Sequence, residues 1–161
     1  MRSTDKYVFF WRGTFSQWHR SYFAIDGVAY NAAEQYMMAG KARLFNDLDT
    51  LEKIMKTKNV RTQKHLGREV KNFDPAIWTD NCLDIVVAGN YAKFTQNEEM
   101  KQELLATGDK TLVEASPYDK IWGIGMAEDH PDVLDESKWK GTNLLGKALM
   151  IVRDKIRAEG I

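Results

Sequence analysis

Apolar and polar positions along the chain change their spacing several times, and each spacing predicts a different element. An aromatic run at residues 7–11 is extended in type, and apolar residues lie on both sides of the Asp26-Gly27 pair. This pair favours a two-residue type I′ turn, so residues 22–30 are predicted to form a β-hairpin. Apolar residues then follow helical spacing and predict three helices. The first has Asn31 as N-cap and ends at about residue 45, the second covers residues 48–55, and a third, with a weaker pattern, covers 61–70.

The second half of the chain predicts one long helix and several shorter elements. Asp74 and Pro75 have the chemistry of a helix start, and apolar residues continue on one face for about twenty residues. Next come a helix from residue 98 to about 106, a strand-loop-strand segment over 111–125, and an amphipathic helix that begins at Asn143. This pattern predicts a helix-rich α+β fold as one domain over residues 1–161, with its core at about 7–158.

Composition and charge narrow the classes of function. A chain of 161 residues with 43% hydrophobic residues suits one domain, and 23 basic against 23 acidic residues argue against tight non-specific binding to nucleic acid or anionic membranes. Cys82, the single cysteine, fits a reducing compartment and is expected to be buried. With no apolar signal core and no run of about 18 apolar residues, we expect a soluble cytoplasmic protein without a membrane partner.

Glu34 has two explanations in the local sequence. With Asn31 as N-cap, Glu34 is at the third helical position, from which a Glu side chain reaches back to the cap in a capping box. Alternatively, Glu34 and Lys41 lie on a second helical stripe beside the apolar one and face a cleft as functional groups. The local sequence leaves both explanations open.

A second group of candidate residues lies in the loop after residue 113. Glu114, Ser116 and Asp119 lie close together beside Trp122, where the side chains either form a turn or contribute to a site. Two carboxylates suit glycosidic cleavage, and Trp78 and Trp122 are either core residues or rings that stack on a base. The histidines lack metal-ligand spacing and no phosphate-binding glycine loop occurs, so neither a metal nor a cofactor is expected.

A series of short motifs, in order, closely resembles the YbiA-like or NADAR family. The resemblance runs from about Phe15 to the C-terminal helix. The motifs include Ala33-Glu34-Gln35-Tyr36-Met37-Met38, Leu66-Gly67-Arg68, Lys93-Phe94-Thr95-Gln96-Asn97, Leu112-Val113-Glu114-Ala115-Ser116-Pro117, Ile121-Trp122-Gly123-Ile124-Gly125 and Asn143-Leu144-Leu145-Gly146.

The resemblance implies a helix-rich α+β domain with N-glycosidase activity. The substrates reported for family members are ribosylamino-pyrimidine intermediates of riboflavin synthesis and ADP-ribose attached to guanine in nucleic acid. A nucleotide-like small molecule or an ADP-ribosylated guanine is therefore the expected partner. A non-catalytic module that binds NAD or ADP-ribose is the alternative, and the sequence predicts no oligomeric state.

The resemblance also implies roles for individual residues. Glu34 is the lead catalytic carboxylate, assisted by Asp119, while Lys41 and Arg68 bind phosphates and Trp78 and Trp122 complete the pocket. Many members read Phe-Ser-Asn where this chain has Phe15-Ser16-Gln17, which retains an amide but moves it by one methylene. Ser16 and Gln17 are therefore further candidates for substrate contact, at a position that bears on selectivity.

Overall fold

The computed structural model describes all 161 residues, which divide into two compact units. We call Met1–Ser16 with Glu99–Ile161 the terminal unit, and Gln17–Glu98 the central unit. The elements, in chain order, are β1 (Arg2–Ser3), β2 (Tyr7–Phe10), β3 (Arg20–Ile25), β4 (Val28–Ala32), α1 (Ala33–Leu44), α2 (Leu48–Lys56), α3 (Val60–Arg68), α4 (Pro75–Thr95), α5 (Glu98–Leu105), β5 (Thr111–Glu114), a 3₁₀ turn (Glu136–Lys138) and α6 (Leu144–Glu159). The predicted helix-rich α+β class is confirmed, and no helix is long and apolar enough to cross a membrane.

A three-stranded sheet with the order β1-β2-β5 forms part of the terminal unit. All four residues of β2 are buried, and β2 pairs in parallel with β5. Helix α6 packs against β5 through a fully buried apolar face that includes Leu145, Leu149 and Val152. The final amphipathic helix predicted from residue 143 is therefore confirmed.

The residues before α6 join it closely to β5. Asn143 has a left-handed backbone (φ 54°) and is buried. Its Oδ1 accepts a hydrogen bond from the Glu114 N–H (3.0 Å), and its Nδ2 donates to the Leu112 carbonyl oxygen (2.9 Å). Gly146, one turn into the helix, lies so close to that carbonyl that a side chain there would collide with it. Asn143 and Gly146 thus fix the start of α6 against the strand.

The central unit combines the predicted hairpin with four helices. Strands β3 and β4 pair antiparallel, and Asp26 and Gly27 both have positive φ (52° and 78°), which confirms the type I′ turn. Helix α1 packs against α2, α3 and α4. At the start of α4, Asp74 Oδ1 accepts hydrogen bonds from the backbone N–H groups of Ala76 and Ile77, as predicted, and Cys82 is buried on this helix.

Asn31 was predicted to cap α1, and this prediction is wrong. Strand pairing continues through Ala32, opposite Arg20, so Ala32 is the N-cap and has no capping side chain. The Asn31 side chain is used elsewhere: its Nδ2 donates to the Lys58 carbonyl oxygen (2.8 Å), and its Oδ1 accepts from Gln63 Nε2 (3.1 Å). Hairpin pairing has displaced the helix start by one residue.

The predicted second strand within residues 111–125 is also wrong, because only Thr111–Glu114 is extended and paired. Beyond it the chain folds back on itself: the Ile124 N–H donates to the Glu114 carbonyl oxygen (3.0 Å), and the Gly125 N–H donates to the Asp119 carbonyl oxygen (3.1 Å). Gly125 has a left-handed backbone (φ 70°). Because these backbone groups are bonded within the loop, they do not pair with a neighbouring strand.

Asp47, the N-cap of α2, predicts a pH dependence of stability. Its carboxylate accepts hydrogen bonds from Thr50 Oγ1 (2.7 Å), the Lys71 N–H (2.9 Å) and the Thr50 N–H (3.1 Å). These bonds, that from the Thr50 side chain above all, lower the pKa of Asp47 to about 2. Because the folded pKa is depressed, this stabilisation is fully present above the unfolded pKa of about 4 and is lost as pH falls towards 2.

We expect Asp47→Asn to lower the midpoint of urea unfolding at neutral pH and to remove part of its decline in acid. Unfolding curves between neutral pH and pH 2 measure both effects. Asp49→Asn is the matched control, since Asp49 is an exposed acid in the first turn of the same helix. Equal pH dependence in the two variants would contradict the role of Asp47.

Candidate functional site

Glu34 is a buried carboxylate at the second position of α1, with 3% of its surface exposed. Its backbone N–H donates to the Gln17 carbonyl oxygen (3.0 Å), which ties the helix start to the loop that precedes β3. A first-turn position suits an anion because helix N-termini carry partial positive charge. The hairpin and the helix together hold this carboxylate in place.

The capping box predicted for Glu34 is wrong, because the third helical position belongs to Gln35. Gln35 Oε1 accepts a hydrogen bond from the Asn31 N–H (2.9 Å), and Gln35 Nε2 donates to the Ile54 carbonyl oxygen (3.1 Å). The neighbouring amide therefore performs the local structural role that the sequence offered for Glu34. The capping box therefore does not account for Glu34.

A cation and two aromatic rings share the region of Glu34 in the central unit. Lys41 Nζ lies 4.6 Å from the centroid of the Phe73 ring and 5.7 Å from that of the Trp78 ring. Burial of Lys41, and next the charge of Arg68, lower the pKa of Lys41, whereas the charge of Glu34 raises it. Lys41 therefore links the predicted site residues of the central unit. Its charge interacts with those of Glu34 and Arg68, and it also contacts the Trp78 ring.

Gln17, whose carbonyl oxygen accepts from the Glu34 N–H, forms a buried amide pair with Asn90. Asn90 Nδ2 donates to the Val86 carbonyl oxygen (2.9 Å) and to Gln17 Oε1 (2.8 Å). Because the Val86 oxygen can only accept, it fixes the orientation of the Asn90 amide, and Gln17 must then turn its oxygen towards Asn90.

As a result, Gln17 Nε2 and Asn90 Oδ1 are buried without a hydrogen-bond partner in the protein. A buried donor of this kind indicates a place for a bound oxygen atom, from water or a ligand. Sequence reasoning selected Gln17 but missed Asn90. The available signal was a polar residue next to Gly89, within the apolar face of α4.

Ser16, Asp119 and Trp122 belong to the terminal unit. Asp119 Oδ1 accepts hydrogen bonds from the backbone N–H groups of Trp122 (2.8 Å) and Ile121 (2.9 Å), which confirms the predicted turn. Ser116 Oγ in turn accepts from the Asp119 N–H (3.1 Å). This turn sets the position of the half-buried Trp122, while Asp119 Oδ2 makes no hydrogen bond. The Ser16 N–H donates to the Gly13 carbonyl oxygen (2.9 Å).

The structure contains no group of three or more His, Cys, Asp or Glu side chains arranged to hold a metal ion. Reaction without a metal or cofactor remains a prediction from the sequence.

Comparison with known proteins assigns the family. The family model described as the NADAR domain matches residues 9–157. The chain belongs to the NADAR family. A relative from Acanthamoeba polyphaga mimivirus, named N-glycosidase R617, is 47% identical, and the match covers 94% of this chain and 97% of that protein. The family predicted from the motifs is therefore confirmed.

Two further comparisons agree with membership of the NADAR family. The NMR structure of the Escherichia coli protein YbiA matches with a TM-score of 0.80 at 26% identity, covering 99% of this chain and 89% of that one. YbiA is named an N-glycosidase. A Vibrio vulnificus protein named riboflavin biosynthesis protein VVA0006 is 30% identical over 83% of this chain, a match that spans 32% of that protein.

Proposed function

We propose that this protein is an N-glycosidase that hydrolyses the bond between a ribose carbon and a base-like nitrogen in a nucleotide-like substrate. Family membership and the relatives named N-glycosidase support the hydrolase class. The observation that carries the assignment to residues is the buried carboxylate of Glu34, which shares its region of the central unit with Lys41, Arg68 and Trp78.

The proposed reaction places Glu34 at the bond that breaks. Cleavage of a glycosidic bond develops positive charge on the ribose, which a nearby carboxylate stabilises. Glu34 also accepts a proton from the attacking water, whose oxygen bonds to the ribose carbon as the carbon–nitrogen bond breaks. The bonding electron pair leaves with the nitrogen, which takes up the proton that Glu34 returns, directly or through water, and departs as a neutral amine or base.

The other candidate residues bind the substrate in this proposal. Lys41 and Arg68 donate charge-assisted hydrogen bonds to phosphate oxygens, and Trp78 packs on a ring. Gln17 Nε2, buried and without an acceptor in the protein, donates to a hydroxyl or phosphate oxygen. Asp119, Trp122 and Ser16 lie in the terminal unit, and their roles in the reaction stay predictions from the family resemblance.

Two substrate types meet these requirements. ADP-ribose attached to guanine and a ribosylamino-pyrimidine phosphate each contain a ribose, a planar ring and phosphate. The relative named as a riboflavin biosynthesis protein favours the second type. Each compound, and NAD, is therefore to be incubated with the protein and the products identified by mass spectrometry. Release of a free base or amine from one of them is the expected result. Retained binding of ADP-ribose with no turnover of any compound would overturn the enzyme assignment in favour of a binding module.

Asn90→Ala should raise KM by weakening the orientation of the Gln17 amide. Loss of one hydrogen bond of ordinary strength predicts a rise of roughly two- to tenfold with little change in kcat. The matched control is Asn81→Ala on the same helix, because Asn81 Nδ2 donates to the Ile77 carbonyl oxygen four residues earlier, just as Asn90 does to Val86. An equal rise in KM in both variants would show that the effect comes from the helix and not from Gln17.

A further inference from the structure

Trp11 and Tyr118 form an exposed aromatic pair on the terminal unit. Their ring centroids are 5.8 Å apart with a tilt of 52°, and the two residues are 40% and 82% exposed. Tyr118 forgoes most of the free energy that burial would give its ring, and Trp11 forgoes part of it although it follows directly after a fully buried strand. Paired rings at a surface offer a ligand two aromatic faces at little conformational cost.

A cation accompanies the pair. The guanidinium carbon of Arg12 lies 5.2 Å from the centroid of the Trp11 ring, within the range of cation–π contact. Arg12 is exposed and forms no ion pair with a carboxylate. Its charge is therefore available to an anion that arrives at the aromatic pair.

A cavity of about 520 Å³ opens beside these residues within the terminal unit. Trp11 and Arg12 contribute to its wall, and the volume lies in the range of small-molecule sites. Gly13, also in the wall, has no atom within 4 Å of the place where a Cβ would lie, so a ligand can approach the backbone closely. Glu103 and Glu128 line the cavity as well, and their charges oppose a phosphate there. A phosphate is thus favoured at Arg12 and an uncharged ring at Trp11.

We propose that Trp11, Arg12 and Tyr118 bind one nucleotide unit, with its base stacked on an aromatic ring and its phosphate on the guanidinium. Aromatic rings combined with a cation are the usual components of sites for single-stranded nucleic acid. The same chemistry would hold a free nucleotide. The inference rests on the proposed function in that it concerns a nucleotide-like substrate, and it adds a place on the terminal unit for a further nucleotide unit.

Binding without hydrolysis tests this site. The probe is a fluorescein-labelled single-stranded oligodeoxyadenylate of about 12 nucleotides, followed by fluorescence anisotropy, with AMP as competitor. Trp11→Ala and Tyr118→Ala are each expected to weaken strand binding roughly five- to 150-fold, the loss of one stacked base. Arg12→Gln should also weaken binding and reduce the dependence of log K on log salt by about 0.7.

Matched controls come from the central unit. Tyr22→Ala removes another exposed tyrosine, 64% exposed and next to an arginine, and Arg61→Gln removes an exposed arginine on α3. These controls should bind the strand as the wild type does. If AMP displaces the labelled strand at concentrations well below that of the salt, the free nucleotide is the ligand. If the strand binds and AMP does not displace it, the strand is the ligand.

Two results would overturn the proposal: failure of the wild type to bind either probe, or equal binding by the site variants and the controls. Thermal melts verify that each variant folds, and Tyr118→Ala is the safer of the two aromatic variants because Tyr118 is more exposed than Trp11. Turnover of the three candidate compounds, namely ADP-ribosyl-guanine, the ribosylamino-pyrimidine phosphate and NAD, separates this inference from the proposed function. Absent hydrolysis with the predicted binding pattern would remove only the enzyme assignment, whereas intact hydrolysis with unchanged binding would remove only this site.

Discussion

Glu34→Gln should reduce hydrolysis roughly 10²- to 10⁴-fold, the range for loss of a general acid or base, and leave the protein folded. Glutamine keeps the size and most of the polar atoms of Glu34 but can neither accept the proton of water nor offset a cation on the ribose. The fold should tolerate the change because Gln35, and not Glu34, holds the Asn31 N–H at the start of α1. The rate constant kcat, measured on whichever compound the wild type hydrolyses, gives the size of the effect.

A matched control separates catalysis from helix stability. Glu99→Gln replaces an exposed acid in the first turn of α5 and should leave kcat unchanged. Melting curves of both variants complete the comparison. Full activity of a folded Glu34→Gln variant would show that this carboxylate is not catalytic, whereas unfolding of the variant would make its structural role the main one.

Gly146→Ala should destabilise the protein severely, by about 3 kcal/mol or more. An added Cβ would collide with the Leu112 carbonyl oxygen and with both polar atoms of the Asn143 side chain. The obstructing atoms belong to the backbone of a buried strand and to a side chain fixed by two hydrogen bonds, so none of them can move cheaply. The free energy of unfolding in urea measures the loss.

Gly40→Ala is the matched control within another helix. There the three atoms nearest to an added Cβ all belong to the half-buried side chain of Ile85, which can shift more easily than the backbone of a buried strand. Alanine also favours the helix by about 1 kcal/mol over glycine, so the net change should be within about 1 kcal/mol. Similar destabilisation by both variants would show that loss of helical glycine, and not the approach of α6 to β5, is responsible.

Local chemistry predicted several elements correctly. The Asp26-Gly27 turn depends only on two residues that tolerate positive φ, and the start of α4 depends only on a carboxylate followed by proline. Such features involve atoms a few residues apart. The chain forms them wherever the rest of the fold permits, and for this reason a single sequence reveals them.

Errors arose where distant residues compete for the same backbone. Asn31 has the chemistry of a cap, yet pairing of β4 with β3 continues beyond it. Its side chain instead forms hydrogen bonds with Lys58 and Gln63. Residues 121–125 have the apolar texture of a strand, yet the turn built by Ser116 and Asp119 took up their backbone groups. Secondary-structure propensity describes each segment in isolation. Hydrogen bonds to residues distant in the sequence determine which structure the segment adopts.

Ordered motifs and local turn chemistry are properties of the chain alone, and they were enough to predict the family, the α+β class and the candidate residues. The tertiary structure sets how those residues contact one another. It gave the helix-start role to Gln35, placed Lys41 within the electrostatic reach of Glu34 and Arg68, and set the Gln17 amide through Asn90. It also joined Trp11 to Tyr118 across the terminal unit. The physical reason is that burial, charge interaction and hydrogen-bond direction depend on distances between atoms, which folding fixes and residue order does not.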